Sequence, residues 1–407
     1  MPNIEQTPKS MRIHIGIFGK RNAGKSSLIN IITHQNTSIV SEVAGTTTDS
    51  VEKTMEMLPL GAVVFIDTAG LDDEGSLGQK RIEKTEKIVQ RCDVAIIVCD
   101  YNGWDKTEID LSDKFRQNNI PVIAVINKND EQKISDKELD IIKQLSDYQI
   151  ECSAKNDKDI PSKIREALIK SVPQKLIEEV QILTNFVNEE DIVVLVTPID
   201  KEAPKGRLIM PQVNVIRELL DKKCVAVVTT EKTLKKALSA LKNSPKLVIT
   251  DSQAFKEVSE IVPEDIPLTS FSILFAGIKG DLDAFISGVK AIESLKDGDK
   301  ILICESCTHH PIEDDIGRVK IPALIKKKTG KELVFEHFAS HEFPENIERY
   351  SLIVHCGGCM TNRKEILYRI SKSQDKNVPI TNYGMLISYC TGIFERAVKL
   401  LKQVKNG

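Results

Sequence analysis

Cys307-Thr308-His309 is followed, with forty-six residues between, by Cys356-Gly357-Gly358-Cys359. Three thiols and an imidazole in the pattern C-x-H…C-x-x-C are soft ligands suited to zinc or to an iron–sulfur cluster. The Gly357-Gly358 pair lets the backbone turn sharply enough for both flanking sulfurs to face one centre. Five of the seven histidines fall between His309 and His355. His309 is the first candidate for a fourth ligand and Asp314 the second, with His310, Glu313 and Asp315 also near. Cys304 precedes Cys307 as a second C-x-x-C, so a four-thiolate zinc site is an alternative. Against it, Cys304 completes the apolar run Ile301-Leu302-Ile303 and suits a small buried position. Cys92, Cys99, Cys152, Cys224 and Cys390 sit in apolar or helical contexts and read as core.

A second constellation lies near the start of the chain. Gly19-Lys20-Arg21-Asn22-Ala23-Gly24-Lys25-Ser26 is a complete G-x-x-x-x-G-K-S between an expected strand, Arg12–Phe18, and an amphipathic helix, Ser27–Thr33. In such a loop backbone N–H groups wrap phosphates, Lys25 reaches the β- and γ-phosphates, and Ser26 holds Mg²⁺. A strand Val63–Asp67 ends in Asp67-Thr68-Ala69-Gly70; Asp67 is placed to hold Mg²⁺ and Gly70 to sense the γ-phosphate. Another, Val122–Ile126, ends in Asn127-Lys128-Asn129-Asp130. Asp130 can accept from the two donors on the edge of guanine, and Ser153-Ala154-Lys155 supplies a loop over the base. Order and spacing resemble the small GTPases and predict binding of GTP.

The subtype is legible too. Asn22-Ala23-Gly24-Lys25-Ser26-Ser27 and Ala44-Gly45-Thr46-Thr47-Thr48-Asp49 resemble the TrmE-like tRNA-modification GTPases. That resemblance implies that Asn22 helps bind a K⁺ ion in place of an arginine finger, and that Thr47 is a Mg²⁺ ligand. It makes Lys25, Thr47, Asp67 and Gly70 the expected catalytic set, for a K⁺-stimulated, Mg²⁺-dependent hydrolysis of GTP to GDP and phosphate. Leu71 stands where a water-positioning Gln would follow D-T-A-G. Glu74 is near the place of the group's water-positioning Glu, which Gly75 occupies; Asp72, Asp73 and Glu74 read equally as a solvated acidic loop.

These motifs need sheets to carry them. The chain has 407 residues, enough for two or three domains, and 41% of them are apolar. A net charge of −3 excludes a general polyanion-binding surface, so no nucleic-acid partner is expected. No apolar run approaches a membrane span, the start lacks a signal-peptide core, and nine unevenly spaced cysteines fit a reducing compartment. A cytoplasmic protein is expected. Strands and helices alternate throughout, which predicts an α/β fold of three consecutive domains. Residues 1–10 read as a disordered tail. Residues 11–172 read as a P-loop GTPase domain with a doubly wound, mostly parallel sheet.

Residues 178–265 read as a small sheet of three strands, Ile192–Val196, Val225–Thr229 and Leu247–Thr250, whose exposed edges invite a homodimer. The loop from Asp200 through Lys201, Lys205 and Arg207 is polar and basic. Residues 266–407 read as a third domain, with strands Lys300–Ile303, Glu332–Glu336 and Ser351–Val354 and a long closing helix, Gly384–Leu401. If Lys300–Ile303 and Ser351–Val354 are parallel in one sheet, both cysteine loops leave its carboxyl edge, where ligand sites of open α/β sheets lie.

A TrmE-like GTPase followed by C-T-H-H-P and then C-G-G-C resembles the HydF family, the maturation GTPases of FeFe-hydrogenase, along the whole chain. The resemblance implies a GTPase domain, a dimerisation domain and a cluster domain, in that order. It implies a 4Fe-4S cluster on Cys307, Cys356 and Cys359 with a weaker or exchangeable fourth position. It implies a scaffold that receives a diiron precursor from two radical-SAM maturation enzymes and passes it to apo FeFe-hydrogenase. The alternative is a zinc-binding TrmE-like GTPase acting in RNA modification.

Overall fold

The computed structural model describes residues 12–34, 52–68, 88–173, 181–183, 186–199, 208–305, 315–339, 343–358 and 361–405. The expected tail, the acidic loop 71–75 and the basic loop 200–207 lie outside them. The chain divides into two compact units, one up to residue 179 and one from residue 180. Among the described residues no helix is long and apolar enough to cross a membrane.

The first unit is built on six strands: β1 (Ile13–Phe18), β2 (Glu52–Met57), β3 (Gly61–Asp67), β4 (Val94–Cys99), β5 (Val122–Ile126) and β6 (Tyr148–Glu151). Their order is β2-β3-β1-β4-β5-β6, with β2 antiparallel and the rest parallel. Every residue of β1, β4 and β5 is buried. That explains why they read as unbroken apolar runs, since helices cover both faces of a parallel sheet. One core layer holds Ile15, Ile17, Leu28 and Ile164, the other Phe18, Ile97, Phe115 and Ile142. Chain order reverses about β1, which places the loop after it at the topological switch point.

The second unit contains two parallel four-stranded sheets. The first is β10-β9-β7-β8, from β7 (Ile192–Val196), β8 (Val225–Thr229), β9 (Leu247–Thr250) and β10 (Leu268–Ser270). The sequence predicts three strands here; β10 is a fourth, too short for a visible pattern. The second sheet is β12-β11-β13-β14, from β11 (Lys300–Glu305), β12 (Val334–Ala339), β13 (Leu352–His355) and β14 (Ile380–Asn382). One core cluster joins the sheets: Val194, Val248 and Leu268 from the first lie in it with Ile301, Leu302, Ile303 and Val354 from the second. The expected closing helix is two helices, Tyr383–Cys390 and Phe394–Lys405. Gly392, at φ +85°, ends the first, a conformation glycine adopts without strain.

Candidate functional site

The loop after β1 closes on its own lysine. Lys25 is buried, and its ammonium donates to the carbonyls of Gly19 at 2.8 Å and Lys20 at 2.7 Å. Gly19 has φ +141°, and a Cβ there would lie 2.1 Å from the Val98 carbonyl oxygen. Gly24 has φ +100°, and its Cβ would meet Asn127 Nδ2 at 2.1 Å. Both glycines are therefore required by close approach as well as by dihedral. Asn22 has φ +62°, puts its side chain in solvent and precedes buried Ala23. The helix Lys25–His34 starts at the loop, so Ser26 and Ser27 stand exposed at its N-terminus.

Ser26 Oγ donates to Asp67 Oδ2 at 3.0 Å, so two expected Mg²⁺ ligands from different strand ends meet. Burial pushes the Asp67 carboxyl above its ordinary value, against the pull of the Ser26 hydrogen bond and the Lys25 charge. Its other oxygen, Oδ1, is buried and has no hydrogen-bond partner among the described residues. A buried, unsatisfied carboxylate oxygen beside a serine hydroxyl fits a hard divalent cation such as Mg²⁺. Thr47 and Gly70 lie outside the described residues.

The base-side motif is tied to the phosphate loop. Asn127 is buried, and its amide donates to the Ala23 carbonyl at 2.9 Å while its oxygen accepts from Ala154 N at 2.8 Å. Lys128 has φ +62° and Asp130 accepts from Asn156 Nδ2 at 3.1 Å. Ser153 is buried and Lys155 exposed. These residues come from the ends of β5 and β6 and sit together as the motif spacing expects.

Sequence reasoning missed Lys20 as more than a loop filler. Its ammonium pairs with Asp105 Oδ2 at 2.6 Å and lies 3.9 Å from Glu108 Oε2. Asp105 and Glu108 form the capping box of the helix Lys106–Gln117. Burial, with the hydrogen bond to Asp105, pushes the Glu108 carboxyl up to about 7. D-x-x-E ahead of a helix was the available signal.

In the second unit β11 and β13 are parallel neighbours, with Cys304 opposite His355. Cys356 N donates to the Cys304 carbonyl at 2.9 Å, so the carboxyl ends of β11 and β13 lie at the same sheet edge. Cys356 is partly exposed there, and Gly358 turns the loop at φ +63°. Cys307, His309, Asp314 and Cys359 lie outside the described residues. Cys304 is 1% exposed, and burial pushes its thiol up to about 12, as for a small apolar side chain. Cys92, Cys99, Cys152 and Cys224 are buried too, as expected of core cysteines.

Three supports of this edge were not foreseen. Arg369, fully buried, donates Nη1 to His355 Nε2 at 2.8 Å and Nη2 to Glu365 Oε1 at 2.6 Å. Arginine only donates, so His355 Nε2 accepts and its Nδ1 carries the proton, given to the Cys356 carbonyl at 2.7 Å. Tyr383 OH donates to buried Glu305 Oε1 at 3.1 Å. Lys279 ends the apolar helix Phe271–Lys279 and reaches the Gly358 carbonyl at 2.9 Å. A lone cation in F-S-I-L-F-A-G-I-K and the Glu365/Arg369 spacing of four were the signals in the sequence.

Comparison with known proteins gives three consecutive family matches. The 50S ribosome-binding GTPase model matches residues 14–128, the hydrogen maturase F dimerization domain residues 182–280, and the hydrogen maturase F tetramerization domain residues 283–400. The GTPase Der of Wolinella succinogenes is 37% identical over 144 residues, 34% of this chain and 29% of that protein. The tRNA modification GTPase MnmE of Helicobacter acinonychis is 34% identical over 174 residues, 42% of this chain and 37% of that protein. The chain thus spans about a third of the length of the curated relatives it matches. Among solved structures, a single-residue variant of Aquifex aeolicus Era bound to GDP·AlF4⁻ aligns with 56% of this chain and 98% of its own, at TM-score 0.32 and 18% identity.

Proposed function

This chain belongs to the hydrogen maturase F family, and from that premise we propose that it is a GTP-hydrolysing scaffold of FeFe-hydrogenase maturation. It is a GTPase: Lys25 and the backbone of residues 19–27 hold the phosphates, Asn127, Lys128, Asp130 and residues 153–155 hold the base, and Ser26, Thr47 and Asp67 hold Mg²⁺. Mg²⁺, when bound, neutralises charge on the β- and γ-phosphates. The protein's own contribution is positioning. Ser26 and Asp67 already meet, and Asn127 fixes the base loop against the phosphate loop. Asn22 and the loop before Thr46 are the proposed K⁺ site.

One observation carries the scaffold reading: Cys356 N bonded to the Cys304 carbonyl across β11 and β13. That register sets the carboxyl ends of β11 and β13, from which the C-x-H and C-G-G-C runs follow in sequence, side by side at one sheet edge, which supports a shared site. Cys307, Cys356 and Cys359 are the proposed thiolates of a 4Fe-4S cluster, with His309 or Asp314 at the fourth iron. Such a cluster supplies thiolate-bound iron with one exchangeable position. Burial of Cys304 supports three thiolates rather than the four of a zinc site. The proposed cargo is a diiron precursor, taken from two radical-SAM enzymes and given to apo FeFe-hydrogenase.

The chain carries both dimerization and tetramerization domains of its family, so it is oligomeric. β8 is the edge strand of its sheet, with Val225 and Val228 nearly half exposed, which supports pairing of copies there. The test is transfer. The chain is loaded in the presence of the two radical-SAM enzymes, re-purified anaerobically and mixed with apo hydrogenase. Hydrogen evolution is expected, and its absence with a fully loaded chain contradicts the scaffold role.

A further inference from the structure

The loop that begins at Cys356 is held from beneath by one buried ammonium. Lys279 is 6% exposed. Its Nζ donates to the Gly358 carbonyl at 2.9 Å, approaches the Thr361 carbonyl at 3.5 Å and lies 5.8 Å from the Phe275 ring centroid. The Gly358 carbonyl also accepts from Thr361 N at 3.1 Å, so it is doubly bonded into the protein. The same helix end is gripped from the far side of the loop, where Arg363 Nε donates to the Ile278 carbonyl at 2.9 Å.

A buried lysine must repay a large loss of hydration. Closing a short helix against a loop needs no charge: a leucine or methionine would fill the space among Phe275 and its neighbours. The ammonium points at the one residue pair that separates Cys356 from Cys359. We infer that Lys279 is a positioning residue for the metal loop, fixing the turn after Cys356 through Gly358 and setting a positive charge within the loop that Cys356 begins. The inference rests on the proposed cluster site. Its physical basis is twofold. Gly358 takes φ +63° without strain but has no side chain, so it can be held only through its backbone, and the Lys279 ammonium takes its carbonyl. A fixed positive charge in a buried setting also stabilises added negative charge on a neighbouring thiolate-bound metal group, and so raises its reduction potential.

Three variants separate the two effects. Lys279→Met removes both the donor and the charge at similar length. Lys279→Gln keeps a donor without the charge, and Lys279→Arg keeps both. The parent and each variant are reconstituted anaerobically with iron and sulfide. Iron content, the EPR spectrum after dithionite reduction and the midpoint potential are then measured, with thermal melting as the folding control.

Lys279→Met is expected to hold iron about 10- to 100-fold less tightly, the usual loss when an outer-shell partner is removed. Lys279→Gln should retain iron at a lower potential than the parent, and Lys279→Arg should restore the potential. If Lys279→Met does not fold, Lys279→Gln carries the test. A folded neutral variant with the parent's iron content, spectrum and potential overturns the inference while leaving the cluster site standing. A parent that takes up no iron overturns the cluster site, and this inference with it.

Discussion

Asn127 donates its side-chain amide to the backbone carbonyl of Ala23 at 2.9 Å, in the middle of the phosphate loop. The same side chain accepts from Ala154 N at 2.8 Å. One buried residue therefore joins the loops that take the two ends of the nucleotide, and it meets Gly24 so closely that no larger residue fits there.

Asn127→Ala leaves the buried Ala23 carbonyl and the partly buried Ala154 amide without their partner. Losing such partners costs about 1–3 kcal/mol each, about 2–6 kcal/mol for the two, so GDP and GTP should bind at least roughly thirtyfold more weakly. Fluorescent-nucleotide titration measures this directly. A variant that binds like the parent would remove Asn127 from the site's architecture.

Hydrolysis should run faster in K⁺ than in Na⁺ of equal ionic strength. A cation beside the bridging phosphate oxygen stabilises the charge that develops there, and Asn22 sits exposed in the loop that would hold it. Asn22→Ala should bring the K⁺ rate down to the Na⁺ rate. Equal parent rates in the two salts, measured as phosphate release, would exclude the K⁺ site.

Glu108 gives a pH dependence with a definite sign. Its carboxyl rises from an ordinary 4.5 to about 7 on folding. Between those values the folded chain holds more protons at this site than the unfolded chain does. Stability from this site therefore falls as pH rises through that window and is flat above it. Glu108→Gln should melt with a shallower loss between pH 5 and pH 7 (roughly the window set by linkage). Identical pH slopes for the two proteins would show that Glu108 is ionised in the folded state.

Much of this was legible in the sequence because the phosphate and base motifs are contiguous and fall at strand ends. β1, β4 and β5 announce themselves because a sheet covered on both faces tolerates only apolar residues. Other features stayed hidden because tertiary contact sets them. β10 is only Leu268–Ser270, too short for periodicity. The closing helix breaks at Gly392, which a helical pattern tolerates on paper. Lys279 and Arg369 are charged residues on helices, and charge alone points to solvent; only packing reveals that both are buried behind the Cys356 loop.

The scaffold role turns on which thiols hold iron. The direct measurement is iron, sulfide and zinc content after anaerobic purification and reconstitution, for the parent and for Cys304→Ala and Cys356→Ala. The parent should carry iron and sulfide in equal amounts with little zinc. Cys304→Ala should keep them, because that thiol is buried under the sheet edge, and Cys356→Ala should lose them. Zinc in place of iron in the parent, or loss of metal in Cys304→Ala, would contradict the three-thiolate cluster and the scaffold built on it.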